Sequence, residues 1–282
     1  MNALELIRLG SLKLRENKIP TYKLDSEICL SKTLRKKREE VLINLEQNIT
    51  VSNYKTFKKL IERRYLKEPI AYIFEEKEFW SKIFKVTKAT LIPRPETELM
   101  VDQLVKIYKN KDINILDVGT GSGCILISLL EELKKSKGIG IDISNKALVV
   151  AKENQKNYQP GKRIKFIQKS IKDLKNINFD LIVSNPPYIV RRTLKNLEES
   201  IRNFEPLIAL DGGNDGLDVI KKVIYKSGEI LKLNGLLALE IGNGQYREVS
   251  KLLICRNFRI EHKIKDYKDN IRCVISRLIN KQ

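Results

Sequence analysis

Histidine is almost absent from this chain of 282 residues: there is one, His262. Cysteine is scarce and scattered, at Cys29, Cys124, Cys255 and Cys273, and no two stand in a Cys-x-x-Cys spacing. Neither a zinc site nor a disulfide framework is therefore expected. A single imidazole also leaves little room for chemistry built on the commonest general base and metal ligand. Glycine and proline number only 14 and 8, which excludes collagen-like and low-complexity architectures. No apolar run approaches the ~20 residues of a membrane-spanning helix. Residues 1–8 alternate apolar and charged side chains and offer no long apolar secretion segment. A reducing, cytoplasmic setting is the expectation.

Acidic residues are also in short supply. Asp and Glu number 35 against 54 Lys and Arg, a net charge of +19. Such an excess fits an acidic partner such as RNA, DNA or a ribosome. It equally fits compositional drift, because lysine is spread over the whole chain instead of gathered in one tract. Hydrophobic residues make up 42%, enough for a substantial core, and the length suits one large or two ordinary domains.

The first ~65 residues read as helices. Apolar positions recur at helical spacing from Ala3 to Leu14, and further segments begin at Asp25 and Glu39. Val51-Ser52-Asn53 offers an N-cap for a basic amphipathic helix over Tyr54 to Tyr65. These patterns set a helical domain at 1–67. Residues 68–95 change character. Pro69, Pro93 and Pro95 punctuate them, and Glu78-Phe79-Trp80 and Ile83-Phe84-Lys85-Val86 suggest a hairpin, so this stretch is taken as a linker. From 96 to 282, strands and helices alternate. Strands are expected at Ile113–Val118, Lys137–Asp142, Arg163–Ile167, Phe179–Asn185 and Gly235–Ile241, with helices from Cys124, over Lys146–Tyr158 and over Asp218–Leu233. Short apolar strands separated by helices imply an α/β fold, a mostly parallel sheet covered on both faces.

The first strand runs into Asp117-Val118-Gly119-Thr120-Gly121-Ser122-Gly123, which opens a helix. Glycines suit a tight turn where backbone approaches a ligand. The spacing is G-x-G-x-G, and Cys124 stands where a dinucleotide fingerprint wants its last small residue, which argues against NAD or FAD. No Gly-Lys-Ser/Thr follows, so it is not a phosphate-cradling Walker loop. Asp142 ends the second strand, where a carboxylate can accept from both hydroxyls of a ribose. The pair reads as a site for a nucleoside-bearing ligand, or else as a plain β–α turn beside an exposed Asp.

Asn185-Pro186-Pro187-Tyr188 follows the fourth strand directly. In an open α/β sheet, ligands bind beyond the carboxyl ends of the strands, so this tetrapeptide and the glycine turn face one crevice. Two prolines stiffen the backbone. The Asn185 side chain and the Pro186 carbonyl then offer two acceptors, matching an NH₂ group with two hydrogens. Tyr188 can lie on the face of a planar group. The implied substrate atom is an amide or aryl-amine nitrogen. Two fixed acceptors can turn its lone pair toward an electrophile and stabilise the growing positive charge.

These features resemble class I methyltransferases dependent on S-adenosyl-L-methionine, and the tetrapeptide resembles their amino-methylating subgroup. Further motifs narrow the likeness: Glu68-Pro69-Ile70-Ala71-Tyr72-Ile73, Pro93-Arg94-Pro95-Glu96-Thr97-Glu98, Phe204-Glu205-Pro206, Ala209-Leu210-Asp211-Gly212-Gly213, Glu240-Ile241-Gly242 with Gln245, and Asp266 with Arg272. Together they closely resemble the peptide chain release factor glutamine methyltransferases (the HemK/PrmC family) over nearly the whole chain. The resemblance implies a Rossmann-like methyltransferase sheet with a small N-terminal helical domain joined by a β-hairpin linker. It implies methyl transfer to the side-chain amide nitrogen (N5) of the glutamine in the Gly-Gly-Gln loop of bacterial class 1 release factors, with the helical domain helping to grip that partner. Carried over, Gly119, Thr120, Gly121, Ser122, Gly123, Asp142, Ser170 and Asn185 hold the cofactor. Asn185, Pro186, Pro187 and Tyr188 hold the glutamine, with Asn185, Pro186 and Tyr188 catalytic. Pro93, Arg94 and Glu96 lie near the cofactor, or clamp the linker to the core. No metal, membrane or nucleic acid is required.

The chain departs from the family where Glu75 replaces a common Gly and where the adenine-edge segment reads Gln168-Lys169-Ser170-Ile171, without its usual acidic residue; Ser170 or Ile171 is then the expected adenine neighbour. Three alternatives stay open. A ribosomal-protein glutamine methyltransferase usually has Ser after Pro-Arg, where this chain has Pro95. A nucleic-acid amino-methyltransferase fits the charge, but no target-recognition region fits the length, and a flipped base needs a roomy pocket. A non-enzymatic partner of release factors fits poorly with intact motifs.

Overall fold

A computed structural model describes residues 1–158, 161–175 and 177–281. The chain divides into two compact units, Met1–Glu75 with Glu198–Phe204, and Glu76–Leu197 with the remainder from Glu205.

The first unit is helical: α1 (Ala3–Glu16), α2 (Tyr22–Leu34), α3 (Arg38–Ile43), α4 (Val51–Tyr65) and α5 (Ile70–Phe74). Asn2 and Glu5 form a reciprocal cap on α1, each side chain accepting from the other's backbone N–H at 2.9 and 3.0 Å. Leu6, Leu14, Leu30, Phe57 and Ile61 build the core. Gly10 lies where helices press together, since a Cβ there would stand 2.4 Å from Ser26 Oγ and 2.7 Å from Phe57. The cap of α4 is Thr50, whose hydroxyl accepts from the Asn53 N–H, one position earlier than the sequence suggests. At the end of α5, Glu75 takes a left-handed conformation with φ 54°, a C-cap geometry that glycine adopts more cheaply.

The second unit opens with the hairpin β1 (Glu76–Phe79) and β2 (Lys82–Lys85), whose two turn residues, Trp80 and Ser81, both have positive φ. Next come α6 (Pro95–Tyr108), β3 (Asn114–Val118), α7 (Cys124–Glu132), β4 (Lys137–Asp142), α8 (Asn145–Lys156), β5 (Ile164–Gln168) and β6 (Phe179–Ser184). The short α9 (Glu199–Arg202) belongs to the first unit. The chain ends with α10 (Asp218–Ile230), β7 (Leu231–Glu240), α11 (Tyr246–Cys255), β8 (Phe258–Lys265) and β9 (Ile271–Leu278).

Seven strands form one sheet in the order β5-β4-β3-β6-β7-β9-β8. The first five are parallel, while β9 runs antiparallel to β7 and β8 antiparallel to β9. Successive residues of β3 feed opposite faces. Ile115 joins Met100, Leu104 and Leu126 on one side, and Leu116 joins Ile220, Val223 and Leu253 on the other. This two-sided burial explains the unbroken apolar runs of the parallel strands.

Two sequence expectations shift. The antiparallel pair β8–β9 was not anticipated, because Phe258–Lys265 interleaves charged and apolar residues as an edge strand does. The stretch 68–95, expected as a linker, is shared: it falls to the first unit up to Glu75 and to the second from Glu76. Phe79 and Phe84 are fully buried in the sheet core, at an edge-to-face ring distance of 6.1 Å. Trp80 N donates to Glu98 Oε1 at 3.1 Å, and its indole N–H donates to Glu132 at 3.0 Å.

Candidate functional site

The turn after β3 holds Gly119, Gly121 and Gly123 at φ 72°, 56° and 80°. Side chains other than glycine are strained there. At Gly123 a Cβ would also press on Phe166, Ile127 and Ala151 at 3.0–3.3 Å, whereas at Gly119 it would meet nothing within 4 Å. The first packs the turn onto the core, and the second leaves its backbone open to a ligand. Asp142 closes the turn: Gly121 N donates to Oδ2 at 3.0 Å and Ser144 N to Oδ1 at 2.9 Å. A carboxylate offers about four acceptor positions, so capacity for further donors remains. Burial raises the Asp142 carboxyl above its ordinary value, against the pull of these backbone donors.

Beneath the turn, Asp117 is fully buried and receives the Thr120 hydroxyl at 2.6 Å. Burial, with the nearby Asp142 charge, pushes its carboxyl up to about 7. Asn154 of α8 ties three pieces together. Its Oδ1 accepts from Lys85 N at 2.7 Å, and its Nδ2 donates to the carbonyls of Lys85 and Ser122, both at 2.9 Å.

A cavity of about 630 Å³ opens beyond the strand ends, a size usual for small-molecule sites. The glycine turn, Asp142, Ser170, Asn185 and Pro187 form one part of its wall, and Pro93 and Thr97 another. Apolar side chains such as Ile141, Ile171, Leu207 and Ile208 complete it. An apolar chamber with a carboxylate at the end of β4 fits a nucleoside carrying a short chain, and among the described residues no phosphate-binding loop lines it. Lys169 and Lys222 also reach this wall.

The sequence-identified residues separate here. Gly119, Thr120, Gly121, Ser122, Asp142, Ser170, Asn185 and Pro187 line the cavity. Gly123 packs behind the turn, and Pro186 is buried. Tyr188 turns away to line a second cleft with Gly242 and Gln245. Its hydroxyl receives Arg272 Nη2 at 3.0 Å and approaches Glu240 Oε1 at 3.4 Å, and burial pushes its phenol up to about 12. Gln245 Nε2 donates to the Tyr188 carbonyl at 3.0 Å, and Gly212 and Gly216 crowd the same backbone so closely that no Cβ fits. Pro93 reaches the cavity, whereas Arg94 pairs with the nearly buried Glu205 at 2.5 Å, and Glu205 also accepts from Ile92 N. Glu96 is not among the lining residues.

Sequence reasoning missed the role of Thr97. Its hydroxyl donates to the buried Glu240 Oε2 at 2.6 Å and receives Asn185 Nδ2 at 3.4 Å. Its place in Pro93–Glu98 was the only signal, since Glu240 lies far along the chain.

Residues 5–74 match the PrmC N-terminal domain, and residues 109–239 match a methyltransferase domain. The chain is 37% identical to the release factor glutamine methyltransferase of Fusobacterium nucleatum, over 94% of this chain and 75% of that protein. It is 36% identical to the release factor glutamine methyltransferase of Clostridium acetobutylicum, over 93% and 94%. Among solved structures, a methyltransferase from Pyrococcus furiosus superposes with a TM-score of 0.52 at 15% identity, covering 80% of this chain and 99% of that one. That likeness bears on the fold alone.

Proposed function

Because the chain belongs to the release factor glutamine methyltransferase family, we propose that it methylates the side-chain amide nitrogen of the glutamine in the Gly-Gly-Gln loop of class 1 release factors. The cofactor is S-adenosyl-L-methionine, which supplies an electrophilic methyl group on a positively charged sulfur. The observation that carries the reading is the meeting, on one cavity wall, of the glycine turn, Asp142 and Asn185.

The residues divide the work. Asp142, already held by two backbone donors, accepts from the ribose hydroxyls. Gly119 and Gly121 leave room for the cofactor beside their backbone, and Ser170 stands at the adenine edge. Asn185 Oδ1 and the Pro186 carbonyl accept the two amide hydrogens of the glutamine. The nitrogen lone pair, otherwise delocalised into the carbonyl, is thereby turned toward the methyl group. With the methyl group supplied by bound cofactor, the same two acceptors would stabilise the positive charge that grows on the amide nitrogen, until one proton leaves to water. Tyr188, with its hydroxyl engaged by Arg272 and Glu240, braces this loop. No imidazole enters the scheme, consistent with a chain that has one histidine.

The test is transfer of labelled methyl from S-adenosyl-L-methionine to a purified class 1 release factor, beside the same factor with Gln→Ala in its Gly-Gly-Gln loop. Label is expected on the first and not the second. Equal label on both moves the methylated position elsewhere, and label on neither removes release factors as the substrate.

A further inference from the structure

We propose that Thr97 is a positioning residue that decides which end of the Asn185 carboxamide faces the substrate, and that Glu240 sets Thr97. The proposal rests on the glutamine-methylating reading above.

A carboxamide is nearly symmetric in shape, and only its hydrogen bonds distinguish oxygen from nitrogen. Turned the wrong way, Asn185 would present an NH₂ group to the substrate's NH₂ group, donor against donor. Something on the protein side must choose the orientation. Among the described residues, the side-chain partner of the Asn185 carboxamide is the Thr97 hydroxyl, at 3.4 Å from Nδ2. A hydroxyl has one hydrogen and two lone pairs, so its own orientation depends on its other neighbour.

That neighbour is Glu240 Oε2, at 2.6 Å from Thr97 Oγ1, inside the range of a hydroxyl–carboxylate bond. Glu240 is met from a second side by the Tyr188 hydroxyl at 3.4 Å. Arg272 Nη2 donates to that phenol at 3.0 Å, and this leaves the phenol hydrogen for Glu240. Two hydroxyl hydrogens thus converge on one carboxylate: the Arg272 guanidinium behind the phenol leaves its hydrogen for Oε1, and the 2.6 Å contact takes that of Thr97 at Oε2. Ionised Glu240 is the acceptor at both oxygens. Thr97 therefore spends its hydrogen on Glu240 and shows Asn185 nothing but lone pairs. The nitrogen of Asn185 is drawn to Thr97, and the oxygen is left for the amide hydrogen of the substrate. The chain of polarity runs from Arg272 through Tyr188, Glu240 and Thr97 to Asn185, across three strand ends and the start of α6.

The experiment compares wild type, Thr97→Val, Thr97→Ser and Glu240→Gln in steady-state methylation of a class 1 release factor, with cofactor affinity measured by calorimetry on each. Valine keeps the shape and removes the hydroxyl. Its kcat is expected to fall about 10- to 100-fold, the scale of a misoriented reacting group, with KM for the release factor and affinity for the cofactor within about twofold. Thr97→Ser, which restores the hydroxyl, should return kcat to within about threefold of wild type. Glu240→Gln can turn its NH₂ to Thr97, which frees the Thr97 hydrogen for Asn185, and should lower kcat in the same direction. The inference is overturned by a Thr97→Val enzyme of wild-type kcat, by a Thr97→Ser enzyme as impaired as the valine one, or by losses confined to KM. A wild-type enzyme that does not label the release factor overturns the underlying reading instead.

Discussion

Asp117 and Asp142 close the same turn, yet burial treats them differently. Asp142 keeps two backbone donors and an opening to the cavity, whereas Asp117 has one hydroxyl and no exposure. Its carboxyl, raised to about 7 from 3.8, holds its proton more tightly folded than unfolded. Stability from this group is fully present below about pH 4 and is lost as the pH climbs to about 7. Asp117→Asn removes the dependence. The variant should therefore gain on wild type across that window, by up to a few kcal/mol, given ~1.4 kcal/mol for each pKa unit. Urea unfolding of both proteins at several pH values between 4 and 8 checks this, and a constant difference would contradict it.

At the scale of elements, α8 does more than cover one face of the sheet. Through Asn154 it fastens the end of β2 and the glycine turn to each other. Asn154→Ala removes three hydrogen bonds at a fully buried position. A loss of about 2–4 kcal/mol is expected, readable as a lower unfolding midpoint. Asn154→Asp keeps the acceptor toward Lys85 N but sets a carboxylate against two carbonyls, and should be no better. The sequence made some of this legible. From Ile113 to Ile241 the parallel strands showed themselves as short apolar runs, since both their faces are covered. The glycine turn and Asn185–Tyr188 were legible because local backbone demands fix their residue types. The hairpin's membership was harder to read. Prolines suggested a linker, and only Phe79 and Phe84, alternating with charged neighbours, hinted at a buried face. The partnership of Thr97 with Glu240 had no local signature, since 143 positions separate them and only the sheet brings them together.

At the scale of the whole molecule, every residue lining the cofactor cavity comes from the second unit. Saturating cofactor, at about 100-fold its Kd, stabilises the state that binds it by ~2.7 kcal/mol. Amide exchange should therefore slow in β3, β4 and the glycine turn on addition of S-adenosyl-L-methionine, while the amides of α1, α2 and α4 keep their rates. Equal protection in both units would show that the cofactor stabilises them as one. Among the described residues, no helix is long and apolar enough to cross a membrane. The net charge of +19 gives the surface a positive field, which salt screens within ~10 Å at 0.1 M.

The helical unit is not contiguous in the chain: α9 belongs to it, and Lys67 reaches Glu199 there at 3.3 Å. On the ribosome this sets a schedule. Residues 1–75 emerge before the second unit, but their last helix is still unmade until Phe204 has been joined. At roughly 5–20 residues per second, that wait lasts on the order of ten seconds. During it, the five amino-terminal helices hold whatever structure they can without their final piece. The carboxyl side of β6 is translated in the same interval, so completion of the first unit falls in the middle of the synthesis of the second.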